Sequence, residues 1–103
     1  MALEITKSVD GISLTLTLKG RLDTVTSQEF DKEFQSYMED SGVKDVTLDF
    51  AGLEYISSAG LRSLLKAKRG LSGGSIRIVH PNEVVRDVFD MSHFSDHIPL
   101  EDD

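Results

Sequence analysis

Two adjacent hydroxyls, Ser57 and Ser58, stand between an apolar run and a helical pattern in the stretch Tyr55-Ile56-Ser57-Ser58-Ala59-Gly60. Three kinds of chemistry suit a serine in such a place. It can cap the helix by accepting a hydrogen bond from a first-turn amide that has no partner inside the helix; the spacing allows either Ser57 or Ser58 to do this. It can be offered to a kinase. A phosphate would add about −1.5 to −2 charges, which the free amides and dipole of a helix start tolerate. It can act as a nucleophile, but the elbow G-x-S-x-G needs glycine where Ile56 stands. Nothing in the spacing joins His80 and Asp87 to Ser58, so hydrolysis is the weakest of the three. Gly60 costs a first helical turn roughly 1 kcal/mol against alanine, and its choice implies that a backbone or a ligand comes close.

Other constellations are weaker. His93 and His97 have the i, i+4 spacing of a helical metal pair, with only Asp90 or Asp96 near to complete a set. Two histidines without further ligands read better as a solvated or packed pair, so neither metal nor cofactor is expected. Gly70-Leu71-Ser72-Gly73-Gly74 lacks the Lys-Ser/Thr ending of a phosphate loop and leads into a strand, which makes it a turn. Arg62, Lys66, Lys68 and Arg69 gather positive charge on one helix, either as a solvated face or as one edge of a docking surface. Asp23 follows Gly20-Arg21-Leu22 just before a helix. It suits turn or helix-start chemistry and is also a candidate surface contact.

The elements that position these residues are legible from periodicity. Ile12, Leu14, Leu16 and Leu18 alternate with Ser13, Thr15, Thr17 and Lys19, which predicts a strand with one buried face. Leu3 and Ile5 predict a shorter strand before it, joined by an Asp10-Gly11 hairpin turn. Phe30, Phe34, Tyr37 and Met38 form one helical stripe, opened by a Thr26–Glu29 capping box and stopped at Gly42. Val46, Leu48 and Phe50 predict the next strand. Leu61, Leu64, Leu65 and Ala67 predict an amphipathic helix ending near Gly70, its leucines forming core. Ile76, Ile78 and Val79 then make a strand. Asn82 caps a helix with the stripe Val84, Val85, Val88 and Phe89, and Ile98 with Leu100 makes a last short strand. The order is β-β-α-β-α-β-α-β, an α/β domain with a mixed, mostly parallel sheet. Because the strands alternate instead of running continuously apolar, the helices are expected mainly on one face.

The totals set bounds. A length of 103 residues suits a single domain over 1–103, with little room for a deep cavity. No apolar run approaches the roughly 20 residues of a membrane helix, and the N-terminus lacks the pattern of a secretory signal. The absence of cysteine excludes disulfide and thiol chemistry and fits the cytoplasm. A net charge of −7 argues against a nucleic-acid surface, which needs clustered Lys and Arg.

Four stretches together resemble the STAS domain of bacterial anti-sigma factor antagonists. They are Gly20-Arg21-Leu22-Asp23, Asp49-Phe50-Ala51-Gly52-Leu53, Ile56-Ser57-Ser58-Ala59-Gly60-Leu61 and Phe89-Asp90-Met91-Ser92, in the family's order across roughly residues 3–100. The resemblance implies the STAS fold and places the family's phosphorylated serine at Ser58. It implies a binding module that catalyses nothing itself. An anti-sigma factor with serine-kinase activity binds the unmodified form and phosphorylates it, a metal-dependent serine phosphatase reverses this, and capture of the kinase frees a sigma factor for transcription. Asp23, Ser57, Gly60 and Arg62 are the expected rim of the docking face. Ser57 stands where many members have aspartate and Ala59 where they have a second serine, which leaves Ser57 as a rival acceptor or as the cap that frees Ser58. The alternative function is a STAS scaffold subunit of a stress-signalling assembly, seldom phosphorylated.

Overall fold

A computed structural model describes residues 3–40, 42–71, 74–92, 98 and 100–101. Its elements are β1 (Leu3–Asp10), β2 (Ser13–Leu22), α1 (Thr26–Asp40), β3 (Asp45–Ile56), α2 (Ser58–Gly70), β4 (Ser75–Val79), α3 (Glu83–Ser92) and β5 (Leu100–Glu101). They form one five-stranded sheet in the order β1-β2-β3-β4-β5, with β1 antiparallel to β2 and the other neighbours parallel. From β2 to β5 the order advances in one direction. Three right-handed crossovers therefore set all three helices on the same face of the sheet.

Burial follows this layering. Leu14, Leu16 and Leu18 of β2 are fully buried, while Thr15 and Thr17 between them are only half-buried. The open face is polar and locally bonded: Ser75 Oγ donates to Asp45 Oδ1 at 2.9 Å, and Arg77 Nε to Thr47 Oγ1 at 3.1 Å. Phe30 of α1, Phe50 of β3 and Phe89 of α3 are wholly enclosed between the layers. Each contributes about 2–3 kcal/mol by burial, more than a typical helix cap, so layer packing rather than the helix ends dominates stability.

Several expectations shift. Ile12 lies in the hairpin turn beside Gly11, which has φ +63°, and is 53% exposed instead of sitting within β2. β1 extends to Asp10, because its pairing with β2 continues to Asp10 opposite Ser13. Val84 faces solvent, since Val85, Val88 and Phe89 suffice to seat α3. Asn82 caps α3 as expected, its Oδ1 accepting from Val85 N at 2.8 Å. Its Nδ2 also donates to Leu53 O at 2.8 Å, tying the cap to β3. Leu65 is half-buried at the margin of the core. His93, His97 and Gly73 lie outside the described residues.

The largest difference is in β3, which runs on past Phe50 to Ile56. Its register against β2 goes from Thr17↔Asp49 to Lys19↔Gly52, then from Gly20↔Leu53 to Arg21↔Tyr55. Each step places one extra β3 residue opposite the partner strand, a bulge that bends the strand and raises its twist. The buried residues accordingly step by three, from Phe50 to Leu53 to Ile56. Gly52 allows the stem of Lys19 to cross it: a Cβ there would meet Lys19 Cγ at 2.7 Å. Pairing with β4 ends at Asp49↔Val79. The β2–β3 ribbon thus projects beyond β4 and carries the start of two helices at its tip.

Candidate functional site

Leu22 and Ile56 are register partners at that tip, so the chain leaves β2 and β3 side by side. Each exit turns into a helix and each is capped by the residue that follows the strand. Asp23 caps α1. Its backbone carbonyl accepts from Ser27 N at 2.8 Å, and its Oδ1 accepts from Val25 N and Thr26 N, both at 3.0 Å. Thr26 Oγ1 reciprocates by accepting from Asp23 N at 2.8 Å, and reaches Arg21 O at 2.8 Å. The reciprocal box is therefore Asp23–Thr26, three residues upstream of the Thr26–Glu29 box that the spacing suggests, because the helical bonding already begins at the Asp23 carbonyl.

Hydrogen bonding from the Thr26 amide, foremost among the causes, holds the Asp23 carboxyl below its ordinary value against an opposing effect of burial. A carboxyl depressed in the folded state contributes stability that is fully present above its unfolded value of about 3.9. That contribution is lost as the pH falls through the lower, folded value. Asn also caps well, so Asp23→Asn is expected to retain the cap and flatten this part of the acid limb. Urea midpoints taken below pH 4 should fall more steeply for the parent than for the variant.

Ser57 caps α2. Its φ of −99° and ψ of 175° are extended, and its Oγ accepts from Gly60 N at 3.2 Å. Ser57 N donates to Leu22 O at 2.9 Å and Ser57 O accepts from Leu61 N at 2.9 Å, so the residue ends the sheet ladder and opens the helical one. Ser58 is then the first residue of α2 and is exposed. The two serines thus have different surroundings, one engaged by the helix and one facing solvent. Ser57→Ala is expected to cost about 1 kcal/mol, and Ser58→Ala much less, as read from their urea denaturation midpoints.

Gly60 is buried, and the close approach that it permits is internal. A Cβ at this position would lie 2.8 Å from Leu22 O, 2.8 Å from Ile56 Cγ1 and 3.0 Å from Leu22 Cγ. It is buried beside the exposed Ser58 and Arg62, and the neighbours of that Cβ are the chain's own strand ends. Leu61, Leu64 and Ala67 hold α2 against the core, and Ser63 Oγ donates to Ser27 O at 3.4 Å across to α1. Arg62 is exposed and lines a cleft of about 250 Å³ between the two helix starts, with Thr24, Ser27, Gln28 and Ala59.

Two residues at this end escape a reading by period. Val25 is 72% exposed in the turn between Asp23 and the first residue of α1; it is out of phase with the Phe30–Phe34 stripe, which is the signal that marks it. Arg21 lies over the Tyr55 ring, 4.7 Å from its centroid. The register partnership of this pair depends on a bulge that period two does not reveal. Among the described residues, no group of three or more His, Asp or Glu side chains could hold a metal ion, and no helix is long and apolar enough to cross a membrane.

A sheet with one antiparallel edge pair, parallel elsewhere and covered on one face by three helices, is the STAS fold. The chain belongs to the STAS domain family, whose pattern matches residues 2–103. It is 32% identical over 94 residues to BtrV of Bordetella bronchiseptica, a protein named as a candidate anti-sigma factor antagonist; the match covers 89% of this chain and 79% of the relative. The crystal structure of an anti-sigma factor antagonist from Mycobacterium paratuberculosis superposes with a TM-score of 0.87 at 17% identity, covering 98% of this chain and 86% of that one. The anti-sigma factor antagonist SpoIIAA in its unphosphorylated form gives a TM-score of 0.82 at 20% identity, covering 99% and 90% respectively.

Proposed function

We propose that this protein is an anti-sigma factor antagonist that acts in the cytoplasm. It binds a serine-kinase anti-sigma factor while unmodified and is released when that kinase phosphorylates Ser58. A metal-dependent serine phosphatase restores the binding form. The observation that carries this reading is the division of labour at the start of α2. Ser57 accepts the first-turn amide, which leaves the neighbouring exposed hydroxyl of Ser58 available to an incoming kinase. The relative named as a candidate antagonist supports the partner class. The existence of an unphosphorylated form of a structural neighbour, named as such, supports phosphate as the switch.

In this reading the docking face is the tip of the β2–β3 ribbon. Arg62 and the caps Asp23 and Ser57 form its rim, and Gly60 sets the height of α2 beneath it. The protein is a substrate and a binding partner, with no catalytic role and no direct contact with nucleic acid. Intact-mass measurement and site mapping after incubation with its cognate kinase and ATP test this. One phosphate on Ser58, and none on Ser58→Ala, is the expected result. Stoichiometric phosphate on Ser58→Ala would move the site to Ser57 or elsewhere. Self-association on native mass spectrometry, with no phosphate in cells, would favour the scaffold role instead.

A further inference from the structure

We propose that Arg62 is the intramolecular receptor for the Ser58 phosphate: once Ser58 is modified, the guanidinium one turn along the same helix closes on the new dianion. The inference rests on Ser58 being the acceptor. Ser58 and Arg62 are four apart within α2, which runs unbroken from Ser58 to Gly70, and residues at i and i+4 are surface neighbours on a helix. Both side chains are exposed, whereas Leu61 and Ser63 on either side of Arg62 are buried.

Arg62 is also the cation at hand. It makes no ion pair or hydrogen bond among the described residues. Three other charges near the two helix starts are already engaged. Asp23 caps α1, Arg21 lies over Tyr55, and Lys66 is 3.9 Å from Asp31 across the cleft. Arg69 is eleven residues from Ser58, roughly 16 Å along the axis, beyond direct contact. Guanidinium and phosphate match in geometry, because a planar fork of donors meets two phosphate oxygens at once.

The consequence for docking is a change of sign. In the unmodified protein Arg62 offers one free positive charge to a partner's carboxylate. In the modified protein the same group is occupied, and the pair carries about −1. Phosphate and partner carboxylate therefore compete for one guanidinium.

The test uses the whole chain with phosphoserine placed at position 58 by genetic encoding, so that no kinase is involved. The second ionisation of the phosphate, ordinarily near pH 6, is followed by phosphorus NMR. Pairing with Arg62 favours the dianion and lowers that value. In Arg62→Gln it should rise by at least about half a unit, roughly a threefold change in proton affinity. Arg62→Lys should retain part of the lowering, since a point charge replaces the fork. Arg69→Gln should match the parent. Equal values in the parent and Arg62→Gln would overturn the proposal, as would an equal rise in Arg69→Gln. If site mapping finds that the kinase does not use Ser58, the acceptor reading fails by itself and the titration result still stands.

Discussion

Gly60→Val is expected to destabilise the domain by about 3 kcal/mol, the upper part of the usual range for overpacking. The first branch atom would be 2.8 Å from the Leu22 carbonyl oxygen. That oxygen cannot retreat freely, because it accepts the Ser57 amide at 2.9 Å and so holds the last rung between the β2–β3 ribbon and α2. Nor can Leu22 or Ile56 turn aside, since both are buried to within 1%. Either the rung breaks or α2 lifts. Valine brings little helix propensity to offset this; alanine would recover up to about 1 kcal/mol of propensity against glycine, so Gly60→Ala should cost less. Gly70→Ala is the internal control. A Cβ there meets nothing within 4 Å, and the variant should be neutral or slightly stabilised. Urea denaturation of the three variants, compared at equal slope, decides the matter. A Gly60→Val midpoint equal to that of the parent would show that α2 is not held at this height by the Leu22 carbonyl.

The same position shows where sequence is informative and where it stops. A glycine in a first helical turn announces a close approach, and the structure has one, but the neighbour is the chain's own strand. Spacing could not supply that neighbour, because the pairing of Leu22 with Ile56 depends on two bulges in β3. The regular parts were legible for a simple reason: Leu14, Leu16 and Leu18 all face one buried layer, and period two survives wherever pairing is regular. Beyond Phe50 the interval becomes three, so a reading by period two ends the strand at Phe50. The α1 cap shifted on similar grounds. Thr26–Glu29 and Asp23–Thr26 both fit a three-residue spacing, and the choice between them rests on where the helical hydrogen bonds begin, a consequence of where β2 ends. Ser57 and Ser58 were indistinguishable by type and place. What separates them is the bond from Ser57 N to Leu22 O, which closes the sheet ladder after Ile56, makes Ser57 the cap and leaves Ser58 as the first helical residue.

That separation predicts how the two serines respond to charge. Ser58→Glu is expected to weaken binding to the proposed kinase partner by about a hundredfold, with almost no change in melting temperature, while Ser58→Ala is expected to keep binding and accept no phosphate. The fold tolerates the carboxylate because position 58 is exposed and a negative charge in a first helical turn is mildly favourable. In the proposed complex the carboxylate would face the partner and, by drawing Arg62 to itself, would leave the partner's carboxylate enclosed without its cation, which costs several kcal/mol; a hundredfold loss corresponds to about 2.7 kcal/mol. Ser57→Glu should behave in the opposite way. It replaces the oxygen that accepts from Gly60 N with a longer side chain that is a poorer cap, so its melting temperature should fall first and any loss of binding should follow from that. Calorimetric melting and titration of each variant with the kinase give both quantities. If Ser58→Glu bound as tightly as the parent, charge at this junction would not be the switch. If Ser57→Glu lost binding while melting like the parent, the hydroxyl that matters would be the one that the helix already holds.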